Sequence, residues 1–207
     1  ELLVWGLQLT FLLAAPAAIA LFIFGEPLAA VLYHYGKFSA LDVLMTQRAL
    51  AAYGVGLIGL ILVKILAPGF YSRQDIRTPV KIGLLVLIAT QLANLFFVPW
   101  FGHAGLALSI GTGACLNAAL LWIGLHKRGA LPNASWAKYL GQLTLALIPF
   151  AAVLFYAATT HDWIALGAQP LTRIGLLAAW LTASAIVYFG ALTLFGIRWQ
   201  KFLRHAK

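Results

Sequence analysis

The sequence predicts an all-α polytopic membrane helix bundle with six transmembrane helices. Three observations predict it. Of the 207 residues, 63% are hydrophobic and only 9% charged. The apolar residues gather in six runs of about 20 residues, the length a helix needs to cross a bilayer core. The cations fall between those runs rather than within them, with one exception, Lys64. Soluble domains carry about 25% charged and about 45–50% apolar residues, so this composition excludes a disordered chain, a coiled coil and an ordinary soluble enzyme. The apolar residues run all round each segment without period-2 alternation, which excludes a barrel.

The first span covers residues 2–24, uncharged and containing Pro16. No basic region precedes it and no small-residue cleavage site follows promptly, so it does not read as a signal peptide. The chain begins at Glu1 and its one methionine is Met45, so it reads as a piece of something longer. A long link, 26–48, follows; its stretch 27–35 is apolar and aromatic, hence either helical or interfacial. The second span, 49–67, carries Lys64, and Pro68-Gly69 is expected to end or bend it. Thr78 and Pro79 read as an N-cap and a first helical position, opening an uncharged third span at 82–101. Gly102-His103 makes a tight hairpin into the fourth span, 104–125. The fifth, 139–158, contains Pro149, and the sixth is 174–197. Pro16 and Pro149 each free a backbone carbonyl, so kinks are expected there.

The charges fix a topology. Arg73, Arg77 and Lys81 follow the second span; Lys127, Arg128 and Lys138 follow the fourth; Arg198, Lys201, Arg204 and Lys207 follow the sixth. These ten cations share one side of an alternating six-span chain, against Lys37, Arg48 and Arg173 on the other. Positively charged loops stay in the cytoplasm, so both ends are expected there. The same pattern accounts for the net charge of +9 and leaves no basic face for nucleic acid. Trp100, Trp136, Trp163, Trp199, Tyr71 and Tyr139 sit at span ends and read as an anchoring belt.

Few polar groups lie inside the spans. Lys64 stands about one turn from the cytoplasmic end, where its stem either snorkels to the headgroups or its ammonium faces a water-filled cavity. Gln91 and Asn94, three apart, share a helix face. Ser109, Gly113 and Asn117 recur every four residues; together with Gly54, Gly56 and Gly59 they read first as close-packing and interhelical hydrogen-bonding positions. Gly111-Thr112-Gly113 has no strand before it and is no nucleotide fingerprint. Cys115 is the one cysteine, so neither an intrachain disulfide nor a cysteine zinc site is expected. His34, His103, His126, His161 and His205 lack metal-ligand spacing, and Glu26, Asp42, Asp75 and Asp162 form no acid/base pair. No catalytic residue, metal or cofactor is therefore expected. Arg73, Asp75 and Arg77 are close enough in sequence to pair locally, making a charged turn that reads as a topology-setting loop or as a gate between two helices.

The run Lys64-Ile65-Leu66-Ala67-Pro68-Gly69-Phe70-Tyr71-Ser72-Arg73-Gln74-Asp75, continuing Arg77-Thr78-Pro79-Val80-Lys81, resembles the MurJ/MviN family of lipid II flippases, within the multidrug/oligosaccharidyl-lipid/polysaccharide exporter superfamily. Tyr35-Gly36-Lys37-Phe38, Met45-Thr46-Gln47-Arg48-Ala49-Leu50 and His103-Ala104-Gly105-Leu106 with Ser109-Ile110-Gly111 strengthen the likeness. It covers the whole chain and is most specific in 33–117.

The resemblance implies a fourteen-helix, two-lobe flippase of which this chain is the C-terminal portion. Residues 1–126 would be the last four helices of the second six-helix lobe, and 127–207 two extra C-terminal helices, which in the family form a groove for a polyprenyl tail, and a cytoplasmic tail. It implies a transporter and not an enzyme: one that flips the lipid-linked peptidoglycan precursor lipid II across the bacterial inner membrane by alternating access, in cell-wall synthesis. Its partners would be lipid II, membrane lipids and the missing N-terminal part. The family's essential arginines lie in that absent part. Here Lys64, Gln91, Asn94 and Asn117 remain as candidates for the substrate cavity, and Arg73, Asp75 and Arg77 for the cytoplasmic gate. A flippase of another polyprenyl-linked polysaccharide precursor is the nearest alternative, and an intramembrane enzyme on polyprenyl-linked sugars a more distant one.

Overall fold

The computed structural model describes residues 2–129 and 136–197. The tail cations Arg198, Lys201, Arg204 and Lys207, with Trp199 and His205, lie outside the described residues. Among the described residues the order is α1 (Leu2–Ile23), α2 (Gly25–Tyr33), α3 (Ala40–Tyr71), α4 (Arg77–Phe101), α5 (His103–Lys127), α6 (Trp136–Thr160), a 3₁₀ turn (Ala165–Ala168) and α7 (Pro170–Leu194). All but α2 and the 3₁₀ turn are long and apolar enough to cross a membrane, which gives six candidate spans. They match the six apolar runs, and the chain is a multi-pass membrane protein.

Residues 25–33 of the long link are helical, the first of the two readings it allowed. Three boundaries depart from the sequence reading. The helix α3 begins at Ala40, nine residues before the apolar run that marked it (40 against 49). The start is a capping box: the Ser39 amide donates to Asp42 Oδ2 at 2.8 Å and the Asp42 amide to Ser39 Oγ at 3.3 Å. The polar residues Gln47 and Arg48 interrupt the apolar run, not the helix. Nor does Pro68 end α3, which continues to Tyr71. The missing N–H of Pro68 costs only the bond to the Lys64 carbonyl one turn back, and the turn that closes the helix comes later, through Ser72 N–H donating to the Pro68 carbonyl. Finally α4 starts at Arg77, and Asp75, not Thr78, supplies the cap: the Thr78 amide donates to Asp75 Oδ1 at 3.0 Å. Pro79 then falls in the first turn, where a helix has no use for its N–H.

The chain divides into two compact units, and α1 and α3 contribute to both. The first unit comprises Glu1–Ala18 and Ala52–Ala134. Here α1 and α3 are antiparallel, with Gly6 against Ile65 and Gly69 against Leu3. Glycines also let backbones meet: Gly56 lies on Gly111 and Gly59 on the Ala114–Cys115 peptide, which brings α3 and α5 together. Gly102, at φ +58°, reverses the chain between α4 and α5, a conformation that favours glycine. Gly105 and Gly113 then face Phe97 and Thr90 of α4. The two faces of α5 are thus divided between α3 and α4 by its small residues. Leu66, Phe70, Leu121 and Leu125 form the buried core.

The second unit comprises Ile19–Ala51 and Ser135–Lys207. Leu143, Ala146, Phe150 and Leu154 of α6 are buried with Tyr188 and Leu192 of α7, and Phe150 stacks on Tyr188 at 5.5 Å. Two expectations fail in this unit. Trp163 is not a surface anchor: it is fully buried, its ring edge-on to Phe24 at 5.5 Å and its Nε1–H donating to the Ala157 carbonyl at 3.1 Å. Tyr139 is buried too, at 9% exposure. Trp100, at 79%, keeps the exposure an anchor needs. Arg173, counted above as a loop cation, lies inside α7 and is fully buried.

Candidate functional site

The charged turn between α3 and α4 is the most connected polar structure in the first unit. Gln74 takes φ +58° and bends the chain back, so that the Asp75 amide donates to the Phe70 carbonyl. The carboxylate of Asp75 turns toward the end of α5. It ion-pairs with Arg128, the one such pair among the described residues. Arg128 Nη2 donates to Thr78 Oγ1 at 3.0 Å, the Arg128 carbonyl accepts from Arg73 Nη1 at 3.4 Å, and its guanidinium lies 5.0 Å above the Phe70 ring. A local pairing of Arg73, Asp75 and Arg77 is therefore not what forms. Arg73 reaches the backbone of Arg128, and Arg128 takes the place at Asp75 that sequence neighbours were expected to fill. The network ties the α3–α4 turn to the C-terminus of α5, where a cation is also favoured by the helix dipole.

Hydrogen bonds from the Thr78 hydroxyl, the Arg128 guanidinium and the Thr78 amide hold the Asp75 carboxyl down to about 2. A carboxyl lowered in the folded state stabilises above its unfolded value and ceases to do so as pH falls through the folded value. The turn is therefore expected to be insensitive to pH between 5 and 8 and to loosen only well into acid. Asp75→Asn removes the pair at any pH. Tryptic cleavage after Arg73 and Arg77 in the solubilised protein should then speed up by about two- to fivefold, the scale of an exposed ion pair; an unchanged rate would mean the network holds nothing.

The remaining candidates are placed as follows. Lys64 is exposed on α3. Its neighbours Ile61 and Ile65 line an apolar groove of about 490 Å³ between α1 and α3, together with Trp5, Gly6, Leu9 and Thr10. Thr10 adds little polarity, since its hydroxyl donates back to the Gly6 carbonyl at 2.9 Å. Lys64 stands on the flank of that groove, not in its lining. Gln91 and Asn94 do meet, Asn94 Nδ2 donating to Gln91 Oε1 at 3.3 Å, and the Asn94 carbonyl oxygen is buried with no donor among the described residues. Asn117 is half-buried on α5, one turn beyond Gly113. Ser109 is fully buried and its hydroxyl donates to the Gly105 carbonyl at 2.8 Å.

Sequence reading missed Arg128 and Arg173 as more than loop cations. Arg128 is separated from Asp75 by 53 positions, and no periodic pattern carries such a pairing; the scarcity of acids, five in the chain, was its one signal. Arg173 Nη1 lies 3.4 Å from His34 Nδ1, its Nη2 donates to the His34 carbonyl at 3.4 Å, and its guanidinium sits 5.0 Å over the Tyr35 ring.

Six apolar helices, a charged turn tied to a neighbouring helix end and glycine-bedded helix contacts define a polytopic membrane protein. The family described as lipid II flippase MurJ matches residues 1–172. The chain is 56% identical over 207 residues to a lipid II flippase MurJ of Burkholderia cenocepacia, covering all of this chain and 40% of that protein. It is 37% identical over 198 residues to a probable lipid II flippase MurJ of Buchnera aphidicola (95% and 38% covered) and 35% identical over 196 residues to that of Haemophilus influenzae (94% and 38%). The chain belongs to the lipid II flippase MurJ family, and it spans about 40% of the length of these relatives.

Proposed function

We propose that the chain is the C-terminal portion of a flippase that moves lipid II from the cytoplasmic to the periplasmic leaflet of the bacterial inner membrane by alternating access. The single observation that carries this is the 56% identity, over every residue of the chain, to a relative named lipid II flippase. In this reading residues 1–126 furnish four helices of the second lobe and 127–207 the two extra helices. Membrane lipids and the N-terminal part of the protein are its other partners. The protein is a transporter and performs no covalent chemistry. Lys64 supplies a cation at the cavity for the pyrophosphate of the substrate. Gln91, Asn94 and Asn117 offer it polar contacts. Arg73, Asp75 and Arg77, joined by Arg128, form a cytoplasmic gate. Depleting the full-length protein from growing cells tests the function: lipid II should accumulate and be confined to the cytoplasmic leaflet, and continued exposure on the outer leaflet would remove the reading.

The topology supports the same account. With ten cations of the sequence on one side and, once the buried Arg173 is set aside, Lys37 and Arg48 on the other, both ends and the turn at 73–77 lie in the cytoplasm. Gln74→Cys, compared with a protein carrying Cys115 alone, is expected to resist a membrane-impermeant thiol reagent in spheroplasts and to react after permeabilisation. Labelling from outside would reverse the orientation.

A further inference from the structure

Arg173 is the one charged side chain that is fully buried among the described residues, and the surroundings do not neutralise it. No carboxylate pairs with it among the described residues, and its Nε–H has no acceptor there. It also stands in the first turn of α7, where the helix dipole disfavours a cation. Its compensation comes from α2. The Arg173 guanidinium reaches the carbonyl of His34, the residue that caps the C-terminus of α2, where the dipole favours positive charge. It also meets the imidazole of the same residue. The 3₁₀ turn covers the contact: a Cβ on Gly167 would lie 3.4 Å from both Arg173 Nη1 and His34 Nδ1. Arg173 thus fastens the C-terminal end of α2 to α7 through His34, with the Tyr35 ring beside it.

The chemistry of that fastening depends on a proton. A guanidinium only donates hydrogen bonds, so His34 Nδ1 must present its lone pair, and the imidazole must be neutral with its proton on Nε2. A second proton on Nδ1 sets donor against donor and cation against cation inside a site with no carboxylate. His34 is itself only half-buried, so protons from the solvent reach its ring. The other titratable groups on the adjoining elements are already engaged or stand apart. Asp42 of α3 is held by Ser39, Asp162 accepts from the amides of Ile164 and Ala165, and His161 accepts from Trp180 Nε1. Glu26 lies in the first turn of α2, at the other end from His34, and Lys37 is exposed. Tyr35 contributes its ring face to Arg173, and residues Ala165–Ala168 carry no titratable group.

We infer that Arg173 and His34 form a pH-sensitive clasp, closed while His34 is neutral and released when it is protonated, which frees α2 from the start of α7. Under the proposed topology this end of the bundle faces the periplasm, so the clasp reads the pH outside the cytoplasm.

Hydrogen exchange of residues 24–38 in the full-length protein in lipid nanodiscs tests this, with the intrinsic pH dependence of exchange divided out. Between pH 7.5 and 5.5 the wild type should lose protection in that segment by about tenfold. His34→Gln keeps an acceptor but cannot be protonated, and should show the same protection at both values. Arg173→Met should be unprotected at both; if that variant does not fold, the wild type and His34→Gln decide the matter alone. His161→Gln should respond like the wild type. A wild type whose protection is the same at both pH values overturns the clasp, as does a His34→Gln variant that still responds.

Discussion

Gly59→Leu is expected to prevent the first unit from assembling. A Cβ at position 59 would stand 2.6 Å from the Cys115 amide nitrogen and 2.8 Å from the Ala114 carbonyl carbon. At Gly56 it would stand 2.0 Å from Gly111 Cα. Both obstacles are backbone, so neither moves aside like a flexible side chain, and α3 and α5 must separate. Overpacking costs about 1–3 kcal/mol and occasionally more, and a leucine against backbone belongs at the upper end. In a membrane no general hydrophobic force pulls the helices back together, since lipid tails are as apolar as leucine. The folded yield in detergent and the apparent Tm should both fall steeply. Gly83 has nothing within 4 Å, so Gly83→Leu, which makes the same chemical change on α4, should leave both nearly unchanged. Equal losses at the two positions would show that the α3–α5 contact is not close-packed.

Lys64→Met in the full-length protein is expected to slow lipid II transport while leaving the fold intact. Lys64 is exposed on α3 and engaged in no ion pair among the described residues, so its removal strands no partner. Methionine keeps most of the stem that covers apolar surface. Under the proposed cavity role, the change removes a charge-assisted hydrogen bond to a pyrophosphate oxygen, worth about 1.5–3 kcal/mol, or about ten- to a hundredfold in rate if it is made at the top of the barrier. Transport at the normal rate by a stably folded Lys64→Met protein would assign the residue to snorkelling.

The spans were legible because a bilayer imposes length and apolarity on each helix without reference to its neighbours. The hairpin at Gly102 and the packing role of Gly56, Gly59 and Gly113 were legible for a related reason: small residues at close spacing have few other uses within a membrane. The extension of α3 back to Ala40 was hidden by Gln47 and Arg48, although Ser39 and Asp42 spelled out a capping box. The partners of charge were not legible. Asp75 has arginines at 73 and 77, yet the backbone turn at Gln74 aims it at Arg128. Arg173 borders an apolar span and looks like any topology cation until α2 folds into a helix and brings the His34 carbonyl to it. Trp163 was misplaced for the same reason, because Phe24 and the Ala157 carbonyl that bury and satisfy it come from distant or folded-back segments.

The central claim is that this chain is one necessary part of a lipid II flippase and not a transporter by itself. Reconstitution in liposomes tests it most directly, with the fraction of fluorescent lipid II accessible from outside as the readout. The full-length protein should expose lipid II beyond the level of protein-free liposomes and should leave a polyprenyl-pyrophosphate carrying an unrelated glycan where it is. Residues 1–207 alone should insert, since each span is long and apolar enough to do so, and should expose none. Lipid II movement by residues 1–207 alone, or a full-length protein that moves the unrelated glycan carrier and not lipid II, would contradict the account.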